Sequence, residues 1–175
     1  MQKRKTKITP KFLAVCAVLA AFSIVLGKYL ALNVGENFRF SLENLPLILA
    51  GLYFGPAAGA FVGAAADLVG CLMVGYAINP IITLGAVCIG LFAGVSGIII
   101  KKKGALQILI ALVLSHGIGS IFIKTLGLFL YYGSPFFATL SWRFLIYLGT
   151  GFVEFGILFL LTNNRAFEKQ MHTFF

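Results

Sequence analysis

Two sets of polar side chains recur at helical spacing in the C-terminal half of this apolar chain. The first set is His116, Ser120 and Lys124, and the second is Arg143, Tyr147, Thr150 and Glu154. Residues three or four apart lie on one face of a helix, so each set forms a stripe. A charge exposed to lipid is costly, and both stripes should therefore point inward. Because Lys124 and Arg143 lie in the outer halves of their helices, a cavity between them would be locally positive and would suit an anionic ligand.

Other ionisable residues allow a structural interpretation as well. Asp67 stands among alanines and glycines, where it could accept a hydrogen bond between helices or remain protonated, and we favour a structural role for it. His116 could equally satisfy a neighbouring group or contact a ligand. Arg143 could form a purely architectural pair with a carboxylate on another helix, such as Glu43.

Sequence motifs for energy coupling and for enzymatic chemistry are missing. The chain has no G-x-x-x-x-G-K-[ST], no H-E-x-x-H and no G-x-S-x-G. Cys16, Cys71 and Cys88 lie in apolar runs without the spacing of metal ligands, so we expect neither a disulfide nor a metal site. A membrane-embedded enzyme using Asp67, His116 and Glu154 is disfavoured because these residues form no local catalytic motif.

The composition requires a membrane-embedded fold to position these residues. Of the 175 residues, 60% are hydrophobic and 11% are charged, far from the averages of soluble proteins. We predict an all-α integral membrane protein, a compact bundle of six transmembrane helices in a single domain, 1–175, with short tails at about 1–10 and 163–175. The predicted helices are 11–30, 42–54 (a short one), 56–76, 80–100, 104–131 and 135–162, several of which begin at a proline.

The net charge of +9 has a topological origin. Its excess lies in the two tails and in the lysines at 101–103, which the positive-inside rule places in the cytoplasm. We therefore expect a multi-pass protein of the cell membrane with both termini cytoplasmic and with loops 31–41, 75–79 and 132–134 outside. Basic clusters that flank spans do not indicate nucleic-acid binding.

Small residues recur at intervals of four on two of the helices. The pattern Gly59-x-x-x-Gly63 predicts close packing between helices inside the protein. Ala17-x-x-x-Ala21, with Ala14 on the same face, is the corresponding pattern on the first helix.

Four segments carry a family resemblance: RFSLENLP (39–46), GLYFGPAAGA (51–60), AADLVG (65–70) and NPIITLGA (79–86). In these segments, and in the layout of its spans, the chain resembles the folate-family substrate-capture subunits, or S components, of energy-coupling-factor (ECF) vitamin transporters. The resemblance implies high-affinity capture of folate from outside, beneath the loops at 31–41 and 75–79. It also implies docking through Ala14, Ala17 and Ala21 onto a transmembrane coupling subunit that works with two ATPase subunits. ATP would be used by those partners, and this chain itself would need no cofactor.

Folate chemistry gives the candidate binding residues. An arginine suits the carboxylates of its glutamate moiety, carboxylate or amide acceptors suit its pterin edge, and aromatic side chains suit its flat rings. The predicted substrate-binding set is Arg39, Glu43, Tyr76, Asn79, His116, Lys124, Trp142, Arg143 and Tyr147. An S component for another small vitamin, such as a thiamine precursor or a pyrimidine, shares the architecture and stays open as an alternative.

Overall fold

The computed structural model describes residues 9–34, 38–100 and 104–172. The lysines at 101–103, on which the topology prediction depends, lie outside these ranges, as do those at positions 3, 5 and 7. The elements in chain order are α1 (Pro10–Tyr29), β1 (Leu32–Val34), β2 (Phe38–Phe40), α2 (Asn44–Phe54), α3 (Pro56–Val74), α4 (Pro80–Ile99), α5 (Ala105–Tyr132), α6 (Phe136–Asn163) and α7 (Arg165–His172).

The predicted bundle of six apolar helices is confirmed, although its members differ in length. Five of them, α1, α3, α4, α5 and α6, are long and apolar enough to cross a bilayer. The sixth, α2, has 11 residues and is therefore about 16 Å long. That is roughly half of the hydrocarbon thickness, so α2 does not span it alone.

Three features were not predicted from the sequence. The strands β1 and β2 pair antiparallel, with Leu32 opposite Phe40, and form a small hairpin before α2. The helices α1 and α5 contain π-helical segments at Val25–Tyr29 and Ser115–Ile123. The short helix α7 follows α6 and packs Phe167 edge-on against Tyr53 of α2, with 5.8 Å between the ring centroids.

Local chemistry explains where several helices start and stop. Pro10, Pro56 and Pro80 occupy first-turn positions, where a missing backbone N–H is harmless. Two glycines end helices in conformations that other residues rarely adopt: Gly55, with φ 91°, separates α2 from α3, and Gly75, with φ 71°, ends α3.

Glycine-mediated packing of α3 against α4 forms the centre of the bundle. A Cβ added to Gly59 would collide with the carbonyl group of Gly90, and one added to Gly63 would collide with the carbonyl of Ala86. The predicted close packing at Gly59 and Gly63 is therefore confirmed, and their partner helix is α4. Large side chains such as Phe137 (82% exposed) and Phe152 (81% exposed) face outward, as expected of a lipid-facing surface.

Candidate ligand-binding site

A cavity of about 550 Å³ lies at one end of the bundle. It is lined by residues of all three loops that were predicted to share a side, including Ser41, Tyr76 and Ser134. Lys124 and Arg143 both contribute to its wall, so the predicted chamber between the two stripes is confirmed. Its charged lining residues are Lys28, Glu43, Asp67, Lys124 and Arg143, and its aromatic ones are Tyr76, Tyr132, Trp142 and Tyr147.

Lys124 does not present an uncompensated charge to the cavity. Its Nζ donates to Oε1 of Glu43 at 2.9 Å, and the side chain of Lys124 is 9% exposed whereas that of Glu43 is 27% exposed. Glu43 stands just before α2 and packs against Gly27 of α1. Of the two cations that were expected to make the cavity locally positive, Lys124 is thus paired with a carboxylate.

Arg143 is held from two sides. Its Nε donates to the backbone carbonyl of Ser120 at 3.0 Å, and its Nη2 donates to the hydroxyl of Tyr147 at 3.3 Å. Its guanidinium carbon also lies 5.5 Å from the centre of the Tyr147 ring. A guanidinium has five N–H groups, so these bonds leave donors for a ligand.

Ser120 connects three elements at this point. It belongs to the π-helical segment of α5, and its hydroxyl accepts from Nδ2 of Asn44 in α2 at 3.2 Å while its carbonyl accepts from Arg143 of α6. A π-helical segment changes the hydrogen-bonding pattern of a helix and is frequent at functional sites.

Lys28 is a cavity residue that the predicted set omitted. It lies in the last, π-helical turn of α1, with its Nζ 5.3 Å from the centre of the Tyr76 ring. The available sequence signal was its position, since Lys28 is a cation near the end of an apolar run and just before the predicted loop 31–41.

Asp67 combines the structural role that was favoured for it with a place in the cavity wall. Thr83 of α4 donates its hydroxyl to Oδ2 of Asp67 at 2.6 Å, which is the predicted hydrogen bond between helices. The same side chain lines the cavity. Asp67 is therefore a second cavity residue that the predicted binding set omitted.

Asn79 is buried and its polar atoms are used within the fold. Its Oδ1 accepts from the backbone N–H groups of Ile81 and Ile82 at 3.0 and 3.3 Å, which caps α4, and its Nδ2 donates to the carbonyl of Gly127 at 3.1 Å. An asparagine directly before a proline at the first helical position is a recognisable capping pattern. These contacts assign the side chain to the architecture, although the residue borders the cavity.

His116 lies outside the part of the cavity lining that the structure describes. Its Nε2 lies 2.6 Å from Oε2 of Glu154, and its ring stacks on that of Tyr147 with centroids 4.9 Å apart and an interplanar angle of 27°. A direct ligand contact by His116 therefore stays a prediction, and its described link to the cavity runs through the ring of Tyr147, which lines the wall. The two stripes do face inward, since His116, Ser120, Lys124, Thr150 and Glu154 are all buried.

The remaining predicted residues divide into three groups. Tyr76, Trp142 and Tyr147 line the cavity, and Tyr76 and Trp142 are well exposed within its mouth, at 58% and 44%. The backbone of Arg39 belongs to β2, but its side chain lies outside what the structure describes.

The third group consists of the small residues Ala14, Ala17 and Ala21 of α1, which are exposed. The opposite face of α1 packs into the bundle through residues such as Phe12, Cys16 and Ala20. A partner helix can therefore approach this alanine face without displacing another described element.

Comparison with solved structures supports a transporter fold. FolT bound with folic acid is 25% identical to this chain, with a TM-score of 0.74 over 90% of this chain and 94% of that one. The S component of a bacterial ECF transporter is 23% identical, with a TM-score of 0.65 over 89% and 95% of the two chains. The S component for biotin from an ECF-type ABC transporter is 18% identical, with a TM-score of 0.66 over 92% and 97%. The last two similarities indicate the fold alone.

A curated relative comes from Mycoplasma pneumoniae (strain ATCC 29342 / M129). The protein, described as the uncharacterized protein MG098 homolog, is 33% identical over 107 residues. The match covers 53% of this chain and 22% of that protein, so this chain spans about a fifth of the length of its relative.

A family model decides the classification. The model described as "ECF transporter, substrate-specific component" matches residues 11–163, which include all six bundle helices from Lys11 onward. Because this is a family of transporter components, the prediction that the chain is not an enzyme is confirmed. The chain belongs to the family of substrate-specific, or S, components of ECF transporters.

Proposed function

We propose that this S component captures folate, or a closely related anionic pterin, and delivers it through an ATP-driven energy-coupling module. The observation that carries the proposal is the cavity in which Arg143, held by Ser120 and Tyr147, keeps N–H groups available beside several aromatic rings. The likeness to FolT bound with folic acid supports the same ligand.

The cavity matches folate group by group. The glutamate moiety of folate carries two carboxylates, for which Arg143 and Lys28 supply cationic donors. The pterin edge carries N–H donors, for which the carboxylates of Asp67 and Glu43 supply acceptors. Its rings can stack on Tyr76, Trp142 or Tyr147, which surround the same space.

Size and polarity agree with this assignment. A volume of about 550 Å³ falls within the range of about 300–1,000 Å³ that is typical of pockets for small ligands. Both cations and carboxylates line the wall. A ligand with hydrogen-bond donors at one end and carboxylates at the other therefore finds a partner of the required charge for each end.

We further propose that the cavity opens to the outside and that both termini are cytoplasmic. Lys28 at the end of α1 lines the cavity, whereas Lys11 lies about 25 Å away at the start of the same helix. Arg165 and Lys169 follow α6, whose first turns contact the cavity. Lys11, Arg165 and Lys169 thus lie at the end away from the mouth, and the further basic residues of the N-terminal tail adjoin Lys11 in the sequence. The positive-inside rule assigns that end to the cytoplasm.

Delivery requires partners, because the sequence carries no P-loop. The proposed module consists of a transmembrane coupling subunit and two ATPase subunits. The exposed face of α1 with Ala14, Ala17 and Ala21 is the proposed contact with the coupling subunit.

A direct binding measurement tests the ligand. The purified chain in lipid nanodiscs should bind folate with micromolar or tighter affinity by isothermal titration calorimetry, and native mass spectrometry should identify a co-purified ligand of matching mass. Folate affinity no better than millimolar, with the protein folded, would exclude this ligand.

Cys71 provides an independent test of the binding position. It lines the cavity, whereas Cys16 and Cys88 are not among the lining residues that the structure describes. In a variant that keeps Cys71 and carries serine at the other two positions, bound folate should slow the reaction of Cys71 with a thiosulfonate reagent. Equal reaction rates with and without folate would place the ligand elsewhere.

A smaller vitamin, such as a thiamine precursor or a pyrimidine, is the second candidate. The pairing of Lys124 with Glu43 favours it, because one fewer cation then faces the ligand. Competition binding distinguishes the two candidates. If the smaller vitamin is the ligand, it should displace bound folate at a concentration below that of the folate.

A further inference from the structure

We propose that three side chains, the buried Glu154 and His116 and the cavity-lining Tyr147, act as a relay that positions Arg143 for the ligand. The proposal rests on the function proposed above and adds positioning residues to it. Glu154 and His116 would contribute to affinity without touching the bound vitamin.

The first link is the contact between Glu154 and His116. Oε2 of Glu154 lies 2.6 Å from Nε2 of His116, with Glu154 completely buried and His116 5% exposed. A carboxylate that bonds one ring nitrogen fixes the orientation of an imidazole. An ionisable side chain buried within a span is costly, which favours a functional reason for its presence.

The second link is the contact between two rings. The His116 ring lies nearly parallel to that of Tyr147, with centroids 4.9 Å apart and an angle of 27° between the planes. Tyr147 is one turn from Arg143 on α6, and it lines the cavity whereas His116 is not among its described lining residues. His116 is thus linked to the described cavity wall through the ring of Tyr147.

The third link joins Tyr147 to Arg143. The Tyr147 hydroxyl accepts from Nη2 at 3.3 Å, and the guanidinium carbon lies 5.5 Å from the centre of the ring. Nε of Arg143 is meanwhile bound to the carbonyl of Ser120 at 3.0 Å. His116 and Ser120 belong to the same π-helical segment, Ser115–Ile123, so this segment holds α6 at two points.

The consequence of the relay is preorganisation. A free arginine side chain loses conformational entropy when it binds a ligand. An arginine already fixed by its neighbours loses less, and affinity rises without any additional contact. Loosening the far end of the relay should therefore weaken the binding of a carboxylate that Arg143 holds.

Comparing two ligands separates an effect on the position of Arg143 from a general loss of protein stability. The ligands are folate and a pterin that lacks the glutamate moiety, and the variants are Glu154→Ala, His116→Ala and Glu154→Gln. We expect the two alanine variants to weaken folate binding about tenfold, equivalent to about 1.4 kcal/mol, and to leave pterin binding within about twofold. The Glu154→Gln variant should recover most of the folate affinity, because an amide still hydrogen-bonds to the imidazole.

Thr150→Val is the matched control. Thr150 is buried on the same face of α6, between Tyr147 and Glu154, and its hydroxyl donates to the carbonyl of Ile146 in its own helix. This variant should bind both ligands as the wild type does. Unchanged folate affinity in folded Glu154→Ala and His116→Ala variants would overturn the relay, and so would an equal loss for both ligands.

A readout without ligand keeps the relay testable if folate is the wrong vitamin. The Nε–H signal of Arg143, assigned in the ¹⁵N spectrum by its loss in Arg143→Lys, should be protected from solvent exchange in the wild type and in Glu154→Gln. Protection should be lost in Glu154→Ala. Protection that persists in Glu154→Ala would overturn the relay, whereas a wild type with a protected signal but no folate binding would overturn only the ligand assignment.

Discussion

At the scale of single residues, the cavity holds its cations in unequal ways. Lys124 is neutralised by Glu43 at 2.9 Å, Lys28 lies over the ring of Tyr76, and Arg143 is bound to a carbonyl and a hydroxyl. Neutral partners leave the charge of Arg143 uncompensated within the described contacts. With its remaining N–H donors and its position fixed by two hydrogen bonds, Arg143 is therefore well placed to attract an anionic group.

Replacing Arg143 with alanine should weaken folate binding by about 1–3 kcal/mol, the range for a hydrogen bond to a charged group. Titration calorimetry on the purified variant measures the loss. Arg165→Ala removes an equal charge from α7, beyond the far end of α6, and serves as the control. Equal affinities for wild type and Arg143→Ala would assign Arg143 to the architecture.

The pair of Lys124 and Glu43 should matter to stability as well as to charge. Lys124→Met leaves the Glu43 carboxylate without its cation, and we expect a loss of about 1–3 kcal/mol, between the values for exposed and buried pairs. The double variant Lys124→Met/Glu43→Gln should regain part of that loss. Thermal unfolding in detergent measures both, and strictly additive effects would contradict coupling between the two side chains.

Sequence reasoning at this scale identified which faces point inward but not which residues meet. Spacing of three and four places the polar residues of α5 and α6 on buried faces, as observed. It does not reveal that the His116 ring stacks on that of Tyr147, because that depends on how α5 and α6 are rotated against each other. The pairing of Lys124 with Glu43 joins residues that are 81 positions apart and has no local signal.

At the scale of elements, the close contact of α3 with α4 gives a sharp test. A methyl group at Gly90 would collide with the backbone of Gly59, so Gly90→Ala should destabilise the bundle by about 1–3 kcal/mol, as overpacking does. Gly156→Ala on α6 is the matched control, since a Cβ there meets nothing within 4 Å. Thermal unfolding compares the two variants, and a stable Gly90→Ala would mean that the helices do not approach so closely.

The helices were predictable from the sequence, whereas the two short strands and the π-helical segments were not. Long apolar runs bounded by proline or glycine are strong signals, and the predicted ends of the six helices lie within a few residues of those observed. The strands β1 and β2 have three residues each, too few to show an alternating pattern. The π-helical segments have the same composition as α-helix, so spacing alone did not distinguish them.

At the scale of the whole molecule, assembly should depend on the exposed alanine face of α1. Ala17→Leu places a bulky side chain where a partner helix must approach closely, and it should reduce co-purification with the coupling module several-fold while folate affinity stays unchanged. Ala138→Leu makes the same change at an exposed position of α6 and should not affect assembly. Equal co-purification of both variants would move the docking surface away from α1.

The shortness of α2 determines how much protein lies between a ligand bound beside Glu43 and the far end of that helix. This helix is about 16 Å long and starts directly after Glu43, which lines the cavity, whereas its neighbours are long enough to cross the whole bilayer. If the ligand binds beside Glu43, the length of α2, about 16 Å, separates that position from the far end of the helix. The ATP-driven step proposed above would then have to move the ligand past a barrier of that thickness, about half of the hydrocarbon core.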